Sequence, residues 1–145
     1  MRLVLDTNIV IAALLWSGPP NRLIELAAEG TVELVSSAVL LAELTEVLHR
    51  TKFARKLTEQ HTSIPELVQR YRELAELLTV SDVPSWVAAD PDDDHVLACA
   101  LAARVDLIVS GDHRLLELKL DQGIPIVSAA EALQRIKPQP SPPPR

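Results

Sequence analysis

Short apolar runs alternate with longer helix-like stretches along this chain, and this alternation constrains the fold more than any other feature. The strand-like runs are Leu3–Leu5, Val32–Val35, Leu107–Val109 and Ile124–Val127. Strands that alternate with helices build layered α/β folds with parallel sheets. The sequence therefore predicts a three-layer α/β/α sandwich around a mainly parallel, roughly five-stranded sheet. Pro125 is expected to push the last strand to the sheet edge, because proline cannot donate a ladder hydrogen bond.

Two further segments give finer expectations. Ser36 or Ser37 is expected to cap a helix that runs to about His49, since a serine hydroxyl accepts from free N–H groups at a helix start. The stretch 65–78 reads as a second helix, because proline suits the first helical turn. A further strand is expected over about 77–80, where the apolar residues resume.

Length and composition predict one domain. The chain has 145 residues, of which 48% are hydrophobic, enough to bury a core without disulfides or structural zinc. We expect one folded domain over residues 1–137 and an extended, disordered tail over 138–145, which holds five of the eleven prolines. A single cysteine, Cys99, and the lack of an apolar run of the ~20 residues that span a bilayer predict a cytoplasmic protein without a membrane segment.

The charge is unevenly distributed. The net charge of −6 argues against a protein that binds nucleic acid through overall basicity. One segment, residues 49–56, nevertheless carries the four cations Arg50, Lys52, Arg55 and Lys56 without an acid. It is either a solvated helix end or a contact for RNA or for a partner protein.

Four acids are expected to meet at one edge of the sheet. Asp6 ends the first strand, Asp112 follows the strand 107–109, and Asp94 lies at the start of an apolar helix. Glu43 lies in the helix that follows the second strand, on the border of its apolar face. Because the carboxyl ends of parallel strands share an edge, where ligands bind, these carboxylates are predicted to form one site.

Alternatives stay open at each of these positions. Glu46 competes with Glu43 near the same helix edge, and Asp93 competes with Asp94. Asp6 could simply end a strand, and Asp112 could cap a short following helix. A site of several carboxylates is costly to ionise without a cation. Hard cations such as Mg²⁺ or Mn²⁺ prefer oxygen ligands, and they are therefore the expected cofactors.

Other chemistries fit less well. Asp90, Asp92 and Asp94 have the spacing of a calcium-binding EF-hand loop, but His95 stands where that loop needs glycine and Leu101 where it needs glutamate. The four glycines are not clustered into a phosphate-binding loop. No serine elbow supports nucleophilic catalysis.

Taken together, four motifs resemble the PIN domain family, and in particular its VapC-like toxin ribonucleases of toxin–antitoxin systems. Leu3-Val4-Leu5-Asp6-Thr7-Asn8 is similar to the opening strand with its first acid, and the stretch around Glu43 to the second. Asp94-His95-Val96-Leu97-Ala98 resembles the helix of the third acid, and Val109-Ser110-Gly111-Asp112 the Thr/Ser-x-Asp motif. The resemblance extends from Met1 to about Ile136.

The resemblance implies a function. It implies a divalent-metal-dependent ribonuclease, the toxin of a type II toxin–antitoxin pair, which acts as a homodimer and is blocked by an antitoxin protein. The implied metal ligands are Asp6, Glu43, Asp94 and Asp112, with Asp93 as a possible additional acid and with Thr7, Asn8 and Ser110 in support. The alternative is a noncatalytic PIN-like module that binds RNA or protein through the segment 49–56.

Overall fold

The computed structural model describes residues 1–78, 91–112, 116, 120–121 and 123–136, and residues 91–94 and 120–121 are described by their backbone alone. The strands are β1 (Arg2–Leu5), β2 (Glu33–Ser37), β3 (Ala75–Leu78), β4 (Leu107–Val109), β5 (Leu120–Asp121) and β6 (Ile124–Val127). The helices are α1 (Thr7–Leu15), α2 (Pro19–Ala28), α3 (Ala38–Leu48), α4 (Ala54–Glu59), α5 (Ile64–Leu74), α6 (Pro91–Ala103) and α7 (Ala129–Arg135), with a short 3₁₀ helix at Thr51–Phe53. The predicted tail over 138–145 lies outside the described residues.

The described strands form one sheet in the order β3-β2-β1-β4-β6-β5. β1 is central: Leu3 pairs in parallel with Leu34 of β2 and with Leu107 of β4. β3 and β6 extend the parallel sheet on either side, and β5 pairs with β6 in the antiparallel direction. The prediction of a mainly parallel sheet of about five strands is confirmed.

Both faces of the sheet are buried, which makes the fold a three-layer sandwich. Leu3 and Leu5 of β1 pack into a core with α1, α2, α3, α5 and α7. Val4, between them, points to the other face and packs into a second core against α6. This division follows from the two-residue period of a strand, whose successive side chains point to opposite faces. The predicted α/β/α architecture is confirmed.

α6 supplies more buried residues to the second core than any other element. Val96, Cys99, Ala100 and Ala103 are buried in it. Burial also raises the pKa of the Cys99 thiol to about 11. A thiol that stays protonated is a poor nucleophile, so Cys99 serves as a small core residue.

Some local expectations were right and others were wrong. Ser37 is the N-cap of α3, and its Oγ accepts from Leu40 N–H at 3.2 Å. The helix expected over 65–78 ends at Leu74 and continues as β3 from Ala75. Pro125 is not on an edge strand, because β5 covers β6 and Leu120 pairs with Pro125.

The buried sheet predicts a large effect of truncating Ile108. This side chain is fully buried in β4, between Val4 and Ile126 of the neighbouring strands in the α6-side core. Ile108→Ala should lower the free energy of unfolding by about 2 to 5 kcal/mol, since it loses apolar burial and leaves a cavity. Urea denaturation measures this loss. Leu77→Ala on the edge strand β3, where 37% of the side chain is exposed, is the matched control and should cost less than about 1 kcal/mol; equal losses would contradict the layer assignment.

Candidate active site

The ends of β1 and β4 bring two of the predicted acids together. Leu5 and Val109 are paired in the parallel register, so Asp6 and Ser110 leave the sheet side by side. The Asp6 N–H donates to the Val109 carbonyl at 2.9 Å, and the Ser110 N–H donates to the Val127 carbonyl of β6 at 3.0 Å. Backbone hydrogen bonds from the sheet therefore fix the start of both segments.

A chain of short hydrogen bonds joins Asp6 to Asp112 through Ser110. Asp6 Oδ1 accepts from Thr7 N–H at 2.7 Å, and Asp6 Oδ2 accepts from the Ser110 hydroxyl at 3.0 Å. The same hydroxyl accepts from Asp112 N–H at 3.0 Å. Ser110 is fully buried, so its hydroxyl has few other orientations. It holds the Asp6 carboxylate and the Asp112 backbone in a fixed relation.

The electrostatics of this pair favour a cation. Burial raises the pKa of the Asp6 carboxyl, the Ser110 and Thr7 hydrogen bonds oppose the rise, and the negative charge of Asp112 adds to it. Two carboxylates that repel each other in a partly desolvated place are stabilised by a bound cation. Oxygen donors of this kind match Mg²⁺ and Mn²⁺.

The raised pKa of Asp6 predicts that Asp6→Asn stabilises the metal-free protein. Because the folded-state pKa lies above the ordinary value of 3.8, the folded state binds more protons than the unfolded state between these values. The wild type therefore loses stability as the pH rises from the ordinary pKa to the raised pKa of Asp6, whereas the Asp6→Asn variant has no such loss.

Urea unfolding in chelator, from about pH 3 to about pH 7.5, measures the difference. Asp6→Asn should match the wild type at the acid end and exceed it at neutral pH. A variant that is less stable than the wild type at neutral pH would contradict the assignment of burial as the dominant influence on the pKa of Asp6.

Glu43 lies in α3, which packs against both α1 and α6. The residue is half-buried and its Oε2 atom is buried, whereas Glu46 is exposed. Of the two acids left open by the sequence, the structure therefore favours Glu43 as the one that can contribute to an enclosed site. Its helix starts at Ser37, at the same carboxyl edge as Asp6.

The third acid expected from the sequence lies in the first turn of α6, which holds both Asp93 and Asp94. α6 follows β3 and packs across β1, β2 and β4, so its start lies at the carboxyl edge of the sheet. Position 93 stands three and seven residues before Val96 and Ala100, which are buried in the core against the sheet. Position 94 stands three and seven residues before the half-buried Leu97 and Leu101, and four before Ala98, which is buried but is not part of that core. Residues at these spacings share a helix face, so the helical register favours position 93 of the two.

The supporting residues differ in their placement. Thr7 is buried in the first turn of α1 and donates its N–H to Asp6, while Asn8 is exposed. Ser110 makes the contacts described above. Leu116 N–H donates to the Asp112 carbonyl at 2.9 Å, and the short helix that the sequence predicts after Asp112 lies mostly outside the described residues. The intervening residues 113–115 are outside the described part.

The basic segment 49–56 does not join the acids. It follows the C-terminal end of α3, whereas Asp6 and the acids of α6 lie at helix starts and Glu43 lies in the middle of α3. There it meets an aromatic residue that the sequence did not single out, Trp16, which ends α1. Lys56 Nζ lies 5.6 Å from the Trp16 ring centroid. A contact between residues 40 positions apart has no signature in local periodicity.

The described side chains alone do not complete a metal site. Among them, no three His, Cys, Asp or Glu side chains are grouped so that they could hold a metal ion. The side chains at positions 91–94 are not part of that set. Asp6, Glu43 and Asp112 do belong to it, so the structure does not group these three acids as a metal site, and a site at this edge would need a further ligand.

Comparison with known proteins identifies the family. The sequence model of the PIN domain family matches residues 2–114 of this chain. A chain of the crystal structure of VapBC2 from Rickettsia felis bound to a DNA fragment from their promoter has a similar fold, with a TM-score of 0.59 and 17% sequence identity, over 87% of this chain and 97% of that chain. A comparison with curated proteins gave no match. The chain belongs to the PIN domain family, whose members are generally nucleases.

The helices give one further finding. Within the described ranges, none is both long enough and apolar enough to cross a membrane.

Proposed function

We propose that this protein is a divalent-metal-dependent ribonuclease that hydrolyses RNA phosphodiester bonds. The observation that carries the proposal is the buried Ser110 hydroxyl that ties Asp6 to Asp112 at the carboxyl edge of a PIN-domain sheet. Burial raises the pKa of the Asp6 carboxyl, and carboxylates perturbed in this way cluster at functional sites.

The proposed ligands of Mg²⁺ or Mn²⁺ are Asp6, Asp112, Glu43 and an acid at the start of α6, which the sequence motif assigns to Asp94 and the helical register to Asp93. A bound divalent cation would activate water and neutralise charge on the phosphate. Ser110 and the Thr7 N–H orient Asp6 so that its carboxylate is held in place before the substrate binds. Asn8, exposed in the first turn of α1, is proposed to support the site from its rim.

Removal of the metal is the direct test of this function. Cleavage of a labelled single-stranded RNA should require added Mg²⁺ or Mn²⁺, and excess chelator should reduce it to the background rate. Added metal should then restore it. Cleavage that persists at full rate in chelator, from protein free of contaminating nuclease, would reject a metal-dependent mechanism.

The likeness of the fold to a chain of VapBC2 supports a biological role. We propose that the protein is the toxin of a type II toxin–antitoxin pair, that it acts in the cytoplasm as a homodimer, and that a cognate antitoxin protein blocks its site. Co-expression with the product of a neighbouring gene should relieve growth arrest by the wild type, while Asp6→Asn should cause no arrest to relieve.

A noncatalytic module is the second candidate, and one observation favours it. The segment 49–56 carries the four cations Arg50, Lys52, Arg55 and Lys56 and no acid. A module of this kind would bind RNA or protein in chelator and would cleave nothing with any metal. The metal assay above distinguishes the two candidates.

A further inference from the structure

A surface at the C-terminal end of α1, the end opposite to Asp6, combines aromatic and cationic groups. We define it as the Trp16 patch: Trp16, Lys52, Phe53 and Lys56. Trp16 and Phe53 meet edge to face, with ring centroids 6.4 Å apart at an interplanar angle of 62°. Phe53 is buried, but 45% of Trp16 is exposed. The Trp16 ring therefore packs against Phe53 and lies partly under Lys56 Nζ, and the rest of its surface is open to solvent.

The cations of the patch are available to a ligand. Lys52 Nζ lies 5.0 Å from the Phe53 ring centroid and Lys56 Nζ lies 5.6 Å from that of Trp16. Arg55 pairs with Glu59 at 3.1 Å on the exposed side of α4. Among the described residues, neither lysine forms an ion pair with a carboxylate, so a phosphate oxygen has to displace only a ring contact of each ammonium.

A shallow pocket adjoins the ring. It has a volume of about 300 Å³ and is lined by Trp16 and Lys56 together with the polar side chains of Ser17, Asn21 and Gln60. The Gln60 side chain donates to the Leu15 carbonyl, and the Asn21 side chain donates to the Ala13 carbonyl at 2.8 Å. These bonds tie the end of α1 to α4 and to α2. The surface is therefore built by three helices and is not the free end of one.

We propose that the Trp16 patch binds single-stranded RNA, with a base stacked on Trp16 and adjacent phosphates held by Lys52 and Lys56. Stacking on aromatic rings next to positive side chains is how proteins hold unpaired strands without reading their sequence. The chain as a whole carries a net charge of −6, so a polyanion is attracted only where cations are concentrated. A base offers a π-face to the indole and the adjoining phosphates offer negative charge to both lysines, so one ligand matches both chemistries of the patch.

The Trp16 patch would bind the same RNA that the proposed active site cleaves, and this part of the inference rests on the proposed function. Nine residues of α1, Thr7–Leu15, separate Asp6 from Trp16, a rise of about 14 Å along the helix. A stacked strand covers this separation with roughly four nucleotides at ~3.4 Å each. The Trp16 patch would thus hold the substrate a few nucleotides from the bond that is cleaved.

Binding in chelator separates this proposal from catalysis. The probe is a short fluorescent oligoribonucleotide without secondary structure, titrated with the full chain and followed by anisotropy at several salt concentrations. Lys52→Ala/Lys56→Ala should weaken binding by roughly tenfold and reduce the slope of log affinity against log salt by about 1.4, since each phosphate contact contributes ~0.7. Trp16→Leu, which keeps an apolar cover on Phe53, should weaken binding by roughly tenfold with an unchanged slope.

Two controls make the result specific. Arg70→Ala/Arg72→Ala removes the same charge from the exposed surface of α5 and should leave affinity within about twofold. In chelator, Asp6→Asn should bind RNA like the wild type, and with added metal it should fail to cleave RNA. A failure of the catalytic proposal is thus detected in a different assay from a failure of the binding proposal. Thermal unfolding establishes that each variant is folded. If both patch variants are folded and bind RNA as tightly as the wild type, the proposal is overturned. The patch would then be assigned to a protein partner.

Discussion

Replacing Asp6 by asparagine is expected to lower kcat/KM for RNA cleavage roughly a thousandfold, equivalent to about 4 kcal/mol of transition-state stabilisation. Asparagine keeps the size of the side chain: its amide oxygen can still accept from Thr7 N–H, as Asp6 Oδ1 does at 2.7 Å, and its NH₂ group, in place of Oδ2 at 3.0 Å from Ser110 Oγ, can donate to that hydroxyl oxygen. It loses the negative charge that would hold a cation. Initial rates with Mg²⁺ or Mn²⁺ measure the effect.

The variant is informative because its fold should be intact or more stable. Asp106→Asn is a suitable control. Asp106 is an exposed acid that accepts from the Arg2 N–H at 2.8 Å. It precedes β4 and therefore lies at the edge of the sheet opposite to Asp6. The Asp106→Asn variant should cleave within about twofold of the wild type. Wild-type cleavage by a folded Asp6→Asn protein would remove Asp6 from the mechanism.

The two acids at the start of α6 are expected to differ, and the helical register predicts which is more important. Asp93→Asn should lower kcat/KM roughly a thousandfold, whereas Asp94→Asn should lower it about tenfold or less. The reason is that position 93 is in register with Val96 and Ala100, which pack towards the sheet, and Asp6 lies at the end of that sheet.

Metal titration distinguishes a lost ligand from a lost fold. The apparent affinity for Mn²⁺, taken from the rate against metal concentration, should fall in Asp93→Asn and stay near the wild-type value in Asp94→Asn. The reverse order of effects would identify Asp94 as the metal ligand, as the sequence motif implied. It would also mean that the first turn of α6 is rotated relative to the buried part of the helix.

The fold could be predicted from the sequence wherever a run was both apolar and short. β1, β2, β4 and β6 were found in this way, because a strand buried on both faces needs consecutive apolar residues. β3 was placed two residues late, since Ala75 to Leu78 continues the helical pattern of α5 and only the pairing with β2 makes it a strand. β5 was missed because two residues carry no period.

The candidate site was predictable to the extent that topology determines it. Parallel strands place Asp6 and Asp112 at one edge, and the hydroxyl of Ser110 between them follows from the register of β1 and β4. The choice between Asp93 and Asp94 was not predictable, because it depends on which side of α6 meets the sheet. The Trp16 patch was not predictable either, since it depends on how α1 and α4 pack.

The central claim is that the carboxyl edge of the sheet binds a divalent cation, and anomalous diffraction from crystals soaked in Mn²⁺ tests it most directly. The account predicts a peak within about 2.2 Å of Asp6 oxygen, with further ligands from Asp112 and from an acid of α6, at a Mn²⁺ concentration that supports cleavage. The absence of a peak at this edge, in crystals whose protein cleaves RNA at the same Mn²⁺ concentration, would contradict it.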